Sequence, residues 1–174
     1  MKKKLGLLLL LASSLISADL SRIKTIKTSF VQRIKNSSNN TITYKGSMLA
    51  KREKNLALWV YSSPVEKKIY YRDGNIVILE PELEQVTFAK LDQVPNILTL
   101  LKRAKKIAKN KFVTKFKSTR YTITTNSKNI EKIEYTDQMR NRVSISFINP
   151  RVNIPISNDS FIYEIPAGYD VLKQ

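Results

Sequence analysis

Apolar and polar side chains first settle into a rhythm near Asp19, which can cap a short helix carrying Leu20, Ile23 and Ile26 at a spacing of three. The period then changes. Thr28, Phe30, Gln32 and Ile34 alternate with Ser29, Val31 and Arg33, a strand pattern, although the same apolar residues also allow the helix to run on through Phe30 and Ile34. Asn36 to Asn40 is a polar turn cluster, and from Thr41 the chain reads as an antiparallel meander. Ile42, Tyr44, Gly46, Met48 and Ala50 share one face of the next strand, with Thr43, Lys45 and Ser47 on the other. Leu56 to Tyr61 is apolar on both faces, which predicts a strand covered on both sides and stopped at Ser63-Pro64. Asp73-Gly74, between Ile69-Tyr71 and Ile76-Leu79, predicts a hairpin, because glycine accepts the positive φ of a primed turn. Pro81 breaks the next connection, and Gln85 to Phe88 forms another short strand.

A helical stripe follows. Val94, Ile97, Leu98, Leu101, Ala104 and Ala108 predict one amphipathic helix over Pro95–Lys109, with lysines and Arg103 toward its C-terminal end, where cations complement the helix dipole. It reads either as a basic helix lying on a membrane surface or as a lid packed over the sheet; a lone amphipathic helix in a sheet-rich chain favours the lid. Strand patterns return over 111–117, 119–125, 129–136, 142–147 and 161–165, with Asn149-Pro150 and Pro166 to Gly168 as punctuation.

Before Asp19 the pattern is of another kind. Lys2 to Lys4 precede an apolar Leu5 to Leu11 and a small residue at Ala18, which reads as an export signal over residues 1–18, cleaved near Ala18, and one domain over 19–174. The apolar run is short of the ~20 residues of a membrane span. The expected compartment is the periplasm. The 174 residues contain no cysteine and no histidine, which removes disulfides, thiolate chemistry and every catalytic set that needs an imidazole. Lysine and arginine number 31 against 14 acids, a net charge of +17; without the three signal lysines the balance is 28 against 14. Such a surface favours anionic partners. Nucleic acid is not among those expected, since no recognition motif is present and the basic residues are spread along the chain.

Candidate chemistry is sparse. Glu80, Glu82 and Glu84 stand at a spacing of two, but Pro81 interrupts them, so a solvated acidic edge is favoured over a metal site. Asp73 beside Gly74 reads as a turn residue rather than a base. Trp59 reads by default as a core aromatic and Arg52, at a strand edge, as an exposed cation. No catalytic residue, metal ligand or cofactor site is expected.

In order along the chain, Phe30-Val31-Gln32, Gly46, Lys51-Arg52, Trp59, Pro64, Asp73-Gly74, Gln85-Val86-Thr87, Phe147, Asn149-Pro150, Asn153, Phe161 and Pro166-Ala167-Gly168-Tyr169-Asp170-Val171 resemble the LolA family of periplasmic lipoprotein carriers. The resemblance implies a mainly β (α+β) fold: a strongly curved antiparallel sheet, an incomplete β-barrel, covered by a lid of short α-helices. The cavity between them would receive the acyl chains of a lipoprotein, with Met48, Leu58, Trp59, Val60, Ile78, Leu98, Leu101, Phe147 and Phe161 as candidate lining. The family's lid-latching arginine falls on Arg52, which would hydrogen-bond backbone carbonyls of the lid. Two departures accompany it: Glu53 where a proline usually follows, and one extra residue before Trp59.

The implied partners are lipidated proteins, an inner-membrane ABC-type lipoprotein-releasing complex, and an outer-membrane receptor or the outer membrane itself; the carrier would be a monomer. Exposing an acyl chain of roughly fifteen methylenes to water costs about 12 kcal/mol at ~0.8 kcal/mol each. A cavity of similar apolarity lets the chain cross water by exchange, without any bond being made. The alternative is a sensor or adaptor of the same fold that binds lipid or peptide at an anionic membrane surface.

Overall fold

The computed structural model describes residues 19–90, 95–126 and 129–174. The expected export signal and Val94 lie outside them. Among the described residues the first half of the chain forms β1 (Thr25–Lys35), β2 (Thr41–Lys51), β3 (Leu56–Ser63), β4 (Lys67–Arg72), β5 (Asn75–Glu80) and β6 (Gln85–Lys90). A helix, α1 (Ile97–Arg103), leads to β7 (Lys105–Ala108), β8 (Lys111–Phe116), β9 (Thr119–Thr125), β10 (Ile130–Thr136), β11 (Arg142–Val152) and β12 (Asp170–Lys173). The strands make one open, curved sheet in the order β12-β6-β5-β4-β3-β2-β1-β11-β10-β9-β8-β7. Neighbours are antiparallel except β12, which lies parallel to β6. Two runs of hairpins are thus joined by one long-range pairing, in which Phe30 of β1 stands opposite Phe147 of β11 and Ile34 opposite Val143.

The alternation of β1 and β2 is a burial pattern. Phe30 faces Gly46 and Thr28 faces Met48 across the pair, on the inner face. That face is closed at one end and open at the other: Ile26 is 0% exposed, Gln32 9%, and Ile42, near the β1–β2 turn, 52%. The Asp73-Gly74 turn carries φ of +48° and +85°, as a primed hairpin turn requires.

The double-sided apolarity of β3 has two causes. Ala57, Trp59 and Tyr61 point inward, whereas Leu56, Leu58 and Val60 pack on the outer face with Phe161, Leu49 and Ile156. The chain after β11 folds back over that outer face, held by the Lys51 ammonium, which donates to the Ile156 carbonyl (3.2 Å) and to Asn158 Oδ1 (2.9 Å). Farther along, Val77, Leu79 and Val86 are covered by Tyr169.

The structure corrects several expected boundaries. The N-terminal helix is one 3₁₀ turn, Leu20–Arg22, capped by Asp19, and Ile26 already belongs to β1. The helix expected over Pro95–Lys109 begins at Ile97 and ends at Arg103. Ala104 turns extended (φ −68°, ψ 131°), and Lys105 and Lys106 pair with Val113 and Phe112. A ladder to β8 therefore outweighs the helical propensity of the lysines, and Ala108 lies in β7. The strand expected over 161–165 does not form: Phe161 ends a 3₁₀ turn, Asn158–Phe161, capped by Ser157, and residues 162–165 are neither helix nor strand. β11 runs on through Asn149-Pro150 to Val152, past a register shift opposite β1.

β6 and β7 sit near opposite edges of the sheet, and α1, which stands between them in the chain, packs in the core of the inner face. Ile97, Leu98, Leu100 and Leu101 are its buried side, packed on the Leu20–Arg22 turn, β2 and β8.

Candidate functional site

Between α1 and the inner face lies a cavity of about 250 Å³. Strands β3 to β5 supply Trp59, Tyr61, Ile69, Tyr71, Ile76 and Ile78; β9 to β11 supply Tyr121, Ile133, Tyr135 and Ile145; Pro95, Ile97 and Leu100 form the roof. The wall is apolar with a few hydroxyls. Tyr61 donates to Gln32 Oε1 at 3.0 Å, which satisfies two polar groups inside an otherwise greasy space. Burial, with Tyr121 and Asp137 nearby, pushes the Tyr135 hydroxyl up to about 12, and burial raises Tyr61 and Tyr121 as well. These phenols stay neutral over the physiological range and keep the lining uncharged. Toward the open end, the Lys67 ammonium sits 4.9 Å from the Tyr61 ring centroid and 5.3 Å from that of Tyr44.

Of the residues expected to line the cavity, Trp59 and Ile78 stand in its wall. Met48, Leu98, Leu101 and Phe147 are packed into the core that holds α1 to the sheet. Leu58, Val60 and Phe161 belong to the outer face. Strand parity is the reason: residues one apart on β3 point to opposite sides, and only the odd-numbered set faces α1. That parity is also the signal by which the missed lining could be found, since Ala57 and Tyr61 stand two residues either side of Trp59, and Ile69 with Tyr71 repeats the spacing.

Arg52 does bond a backbone carbonyl, but not one on α1. Its Nη1 donates to the Ser21 carbonyl at 2.6 Å, in the N-terminal turn whose Leu20 packs beside α1. Arg52 Nε and Nη2 are shielded from solvent without a hydrogen-bond acceptor, and desolvation lowers its pKa. Between Arg52 and Trp59 the chain makes a tight turn in which Lys54 and Asn55 adopt φ of +58° and +46°. Glu53 pairs with Lys51 at 3.4 Å. The helix has its own tether, Asn96. Its Oδ1 caps α1 by accepting from the Leu98 amide (2.9 Å), while its Nδ2 donates to the Leu56 carbonyl of β3 (3.1 Å). A polar residue directly before an apolar helical run is the signal that marks it.

Glu80, Glu82 and Glu84 do not share a strand face: Glu80 ends β5, Glu82 lies in a 3₁₀ turn and Glu84 has φ +48°. Among the described residues no group of three or more acids is placed to hold a metal ion. What the site can do is bury an apolar chain beneath a helix that is pinned at its start and propped by a bonded turn.

The profile described as outer membrane lipoprotein carrier protein LolA matches residues 21–164. An outer-membrane lipoprotein carrier protein of Campylobacter jejuni is 35% identical over 173 residues, 99% of this chain and 100% of the relative. One from Helicobacter pylori is 34% identical over 156 residues, covering 89% of this chain and 83% of its own length. Among solved structures, an uncharacterized conserved protein from Thermus thermophilus superposes with a TM-score of 0.54 at 6% identity, over 88% of this chain and 93% of that one. It shares the fold. The chain belongs to the LolA family of outer membrane lipoprotein carrier proteins.

Proposed function

We infer that this protein carries outer-membrane lipoproteins through the periplasm by burying their acyl chains in the cavity beneath α1. The observation that carries this reading is the apolar space between the inner sheet face and the helix, lined by Trp59, Tyr71 and Ile78 below and Ile97 and Leu100 above. About 250 Å³ is below the usual range of ligand sites, roughly 300–1,000 Å³. Loading therefore requires α1 to move outward; its polar tethers are few, one buried asparagine and one arginine-bonded turn, and its main hold is the apolar packing of Ile97, Leu98, Leu100 and Leu101. Moving the helix exposes Ile97 and Leu100, and an incoming acyl chain re-covers them. Loading and closure thus become alternatives of similar energy, so the cargo can be passed on.

The load would arrive from an inner-membrane ABC-type lipoprotein-releasing complex and leave to an outer-membrane receptor or the outer membrane itself. No step makes or breaks a covalent bond. Incubating the mature chain with spheroplasts should release lipoproteins into the soluble fraction in complex with it. Trp59, the one tryptophan of the chain, reports on occupancy: a spin-labelled fatty acyl chain in the cavity should quench its fluorescence. Absence of both effects would sink the carrier reading.

A further inference from the structure

The inner face is least covered toward the β1–β2 turn, and that end of the sheet is built unlike an ordinary solvated rim. Hairpins β1–β2, β3–β4, β5–β6 and β10–β11 all turn there, since Lys35 pairs with Thr41 and Arg142, Tyr61 with Lys67, and Glu80 with Gln85. Each of these four hairpins carries one large apolar side chain at or next to its turn: Ile42 (52% exposed), Val65 (39%), Leu83 (62%) and Met139 (82%). None of them helps to fill the core. Turn tips in water usually carry small polar residues.

The second observation is charge. From the β8–β9 turn across β11 to β2, the rim exposes Lys117, Arg120, Arg140, Arg142, Lys35 and Lys45, and no ion pair among the described residues engages them. The acids on this arc are Glu134 and Asp137; beyond it, the β3–β4 turn carries the exposed Glu66 and the β5–β6 turn the exposed Glu82 and Glu84. Glu134 pairs with Lys132 at 2.9 Å, and Asp137 accepts from the Asn141 amide and side chain at 2.8 and 2.9 Å. The arc therefore keeps a surplus of positive charge.

We propose that the positively charged arc of this rim docks the protein on an anionic phospholipid surface, the cations on headgroup phosphates and Ile42, Val65 and Met139 dipping among the acyl chains, while Leu83, flanked by the exposed Glu82 and Glu84, stays outside the contact. An acidic protein face would be served by the cations alone; exposed apolar tips at the same end of the sheet as the cations suit a bilayer interface, where an apolar residue gains by shallow insertion and a cation by staying at headgroup level. The orientation that results sets the less covered end of the inner face against the membrane. Where the carrier reading holds, cargo chains pass between bilayer and cavity with little exposure to water.

The test is co-sedimentation of the mature chain with vesicles of phosphatidylcholine alone or with roughly 30 mol% phosphatidylglycerol. Binding should require the anionic lipid and weaken at least about tenfold on going to about 0.5 M salt. At about fivefold per interfacial cation, the combined variant Lys35→Gln, Lys117→Gln, Arg120→Gln, Arg142→Gln should bind at least about 100-fold more weakly. Ile42→Ser with Met139→Ser should lose binding to vesicles while retaining adsorption to soluble polyglutamate, which reads charge alone. Spin-label quenching of Trp59 by a fatty acid should be unchanged in both variants, since none of these residues lines the cavity. Equal binding to neutral and anionic vesicles, or full binding by either variant, overturns the proposal. Quenching without vesicle binding leaves the carrier reading standing alone, and vesicle binding without quenching removes the carrier reading instead.

Discussion

Replacing Gly46 by alanine tests how tightly the inner face is built. A Cβ at this position would stand 2.0 Å from the Val60 carbonyl oxygen and 2.9 Å from the Phe30 ring. Ordinary contact begins near 3.4 Å, so the carbonyl would have to retreat by about 1.4 Å, a large fraction of the ~4.8 Å between neighbouring strands. The obstacle is main chain, and it belongs to the β2–β3 ladder, where a register shift between Lys45 and Gly46 already uses the local slack. Phe30 cannot simply yield, because its ring meets Trp59 edge-on at 5.0 Å and Tyr61 at 5.2 Å. Overpacking costs about 1–3 kcal/mol, and weakening the two aromatic contacts adds about 0.5–1.5 kcal/mol each. A loss of about 3 kcal/mol follows, or a fall in Tm of roughly 6–12 °C at this chain length. Circular-dichroism melts read the loss, and Trp59 emission should shift with it as Phe30 moves. Gly74→Ala is the control: its φ is +85° but nothing lies within 4 Å of the added Cβ, so backbone strain alone should cost about 1 kcal/mol. A Gly46→Ala protein that melts within about 2 °C of the parent would refute the close-approach account.

Further outcomes follow from the tethers and the buried phenols. Arg52→Leu removes the bond to Ser21 but also two shielded N–H groups without acceptors; stability should change by no more than about 1 kcal/mol, while hydrogen exchange over residues 19–24 accelerates. A large fall in Tm would instead assign Arg52 to the core. Asn96→Ala removes both the helix cap and the bond to Leu56 and should cost about 2 kcal/mol, with faster exchange across 97–104; unchanged exchange there would show that the asparagine does not hold the lid. Tyr135, held neutral up to about 12, contributes stability that is fully present below the unfolded phenol value near 10. It is lost as pH rises through the folded value, because the unfolded chain releases the proton first. Urea midpoints should therefore fall between about pH 10 and 12, less steeply in Tyr135→Phe; identical slopes would place this phenol in water.

The fold was legible wherever alternation met a half-buried strand. The Asp73-Gly74 hairpin needs only local chemistry and period to be placed; Phe30, Gln32 and Ile34 alternate as a strand does, but their spacing also admits a helix, and the pairing of β1 with β2 and β11 decides. The double coverage of β3 was legible too, but not which coverage faced the cavity. When both parities are apolar, only the neighbours decide, and those are Phe161 and the returning chain on one side and α1 on the other. The end of α1 was hidden for a similar reason. Lys105 and Lys106 suit a helix as well as any residue, and their capture by Val113 and Phe112 is a tertiary event with no local mark. From its own position Arg52 reads as an exposed cation; only the family resemblance implied a hydrogen bond to backbone, and its acceptor, the Ser21 carbonyl, is set by where the chain before β1 runs.

An open sheet keeps two edges, and a free edge invites a strand from another molecule. Here the outermost strands, β7 and β12, are each only four residues long. Their sequences put Lys105, Lys106 and Lys173 on those margins, and every residue of both strands is exposed. Short, lysine-bearing borders make poor templates for strand addition. The gap through which the inner face is reached can thus stay unclosed without recruiting a second copy to seal it.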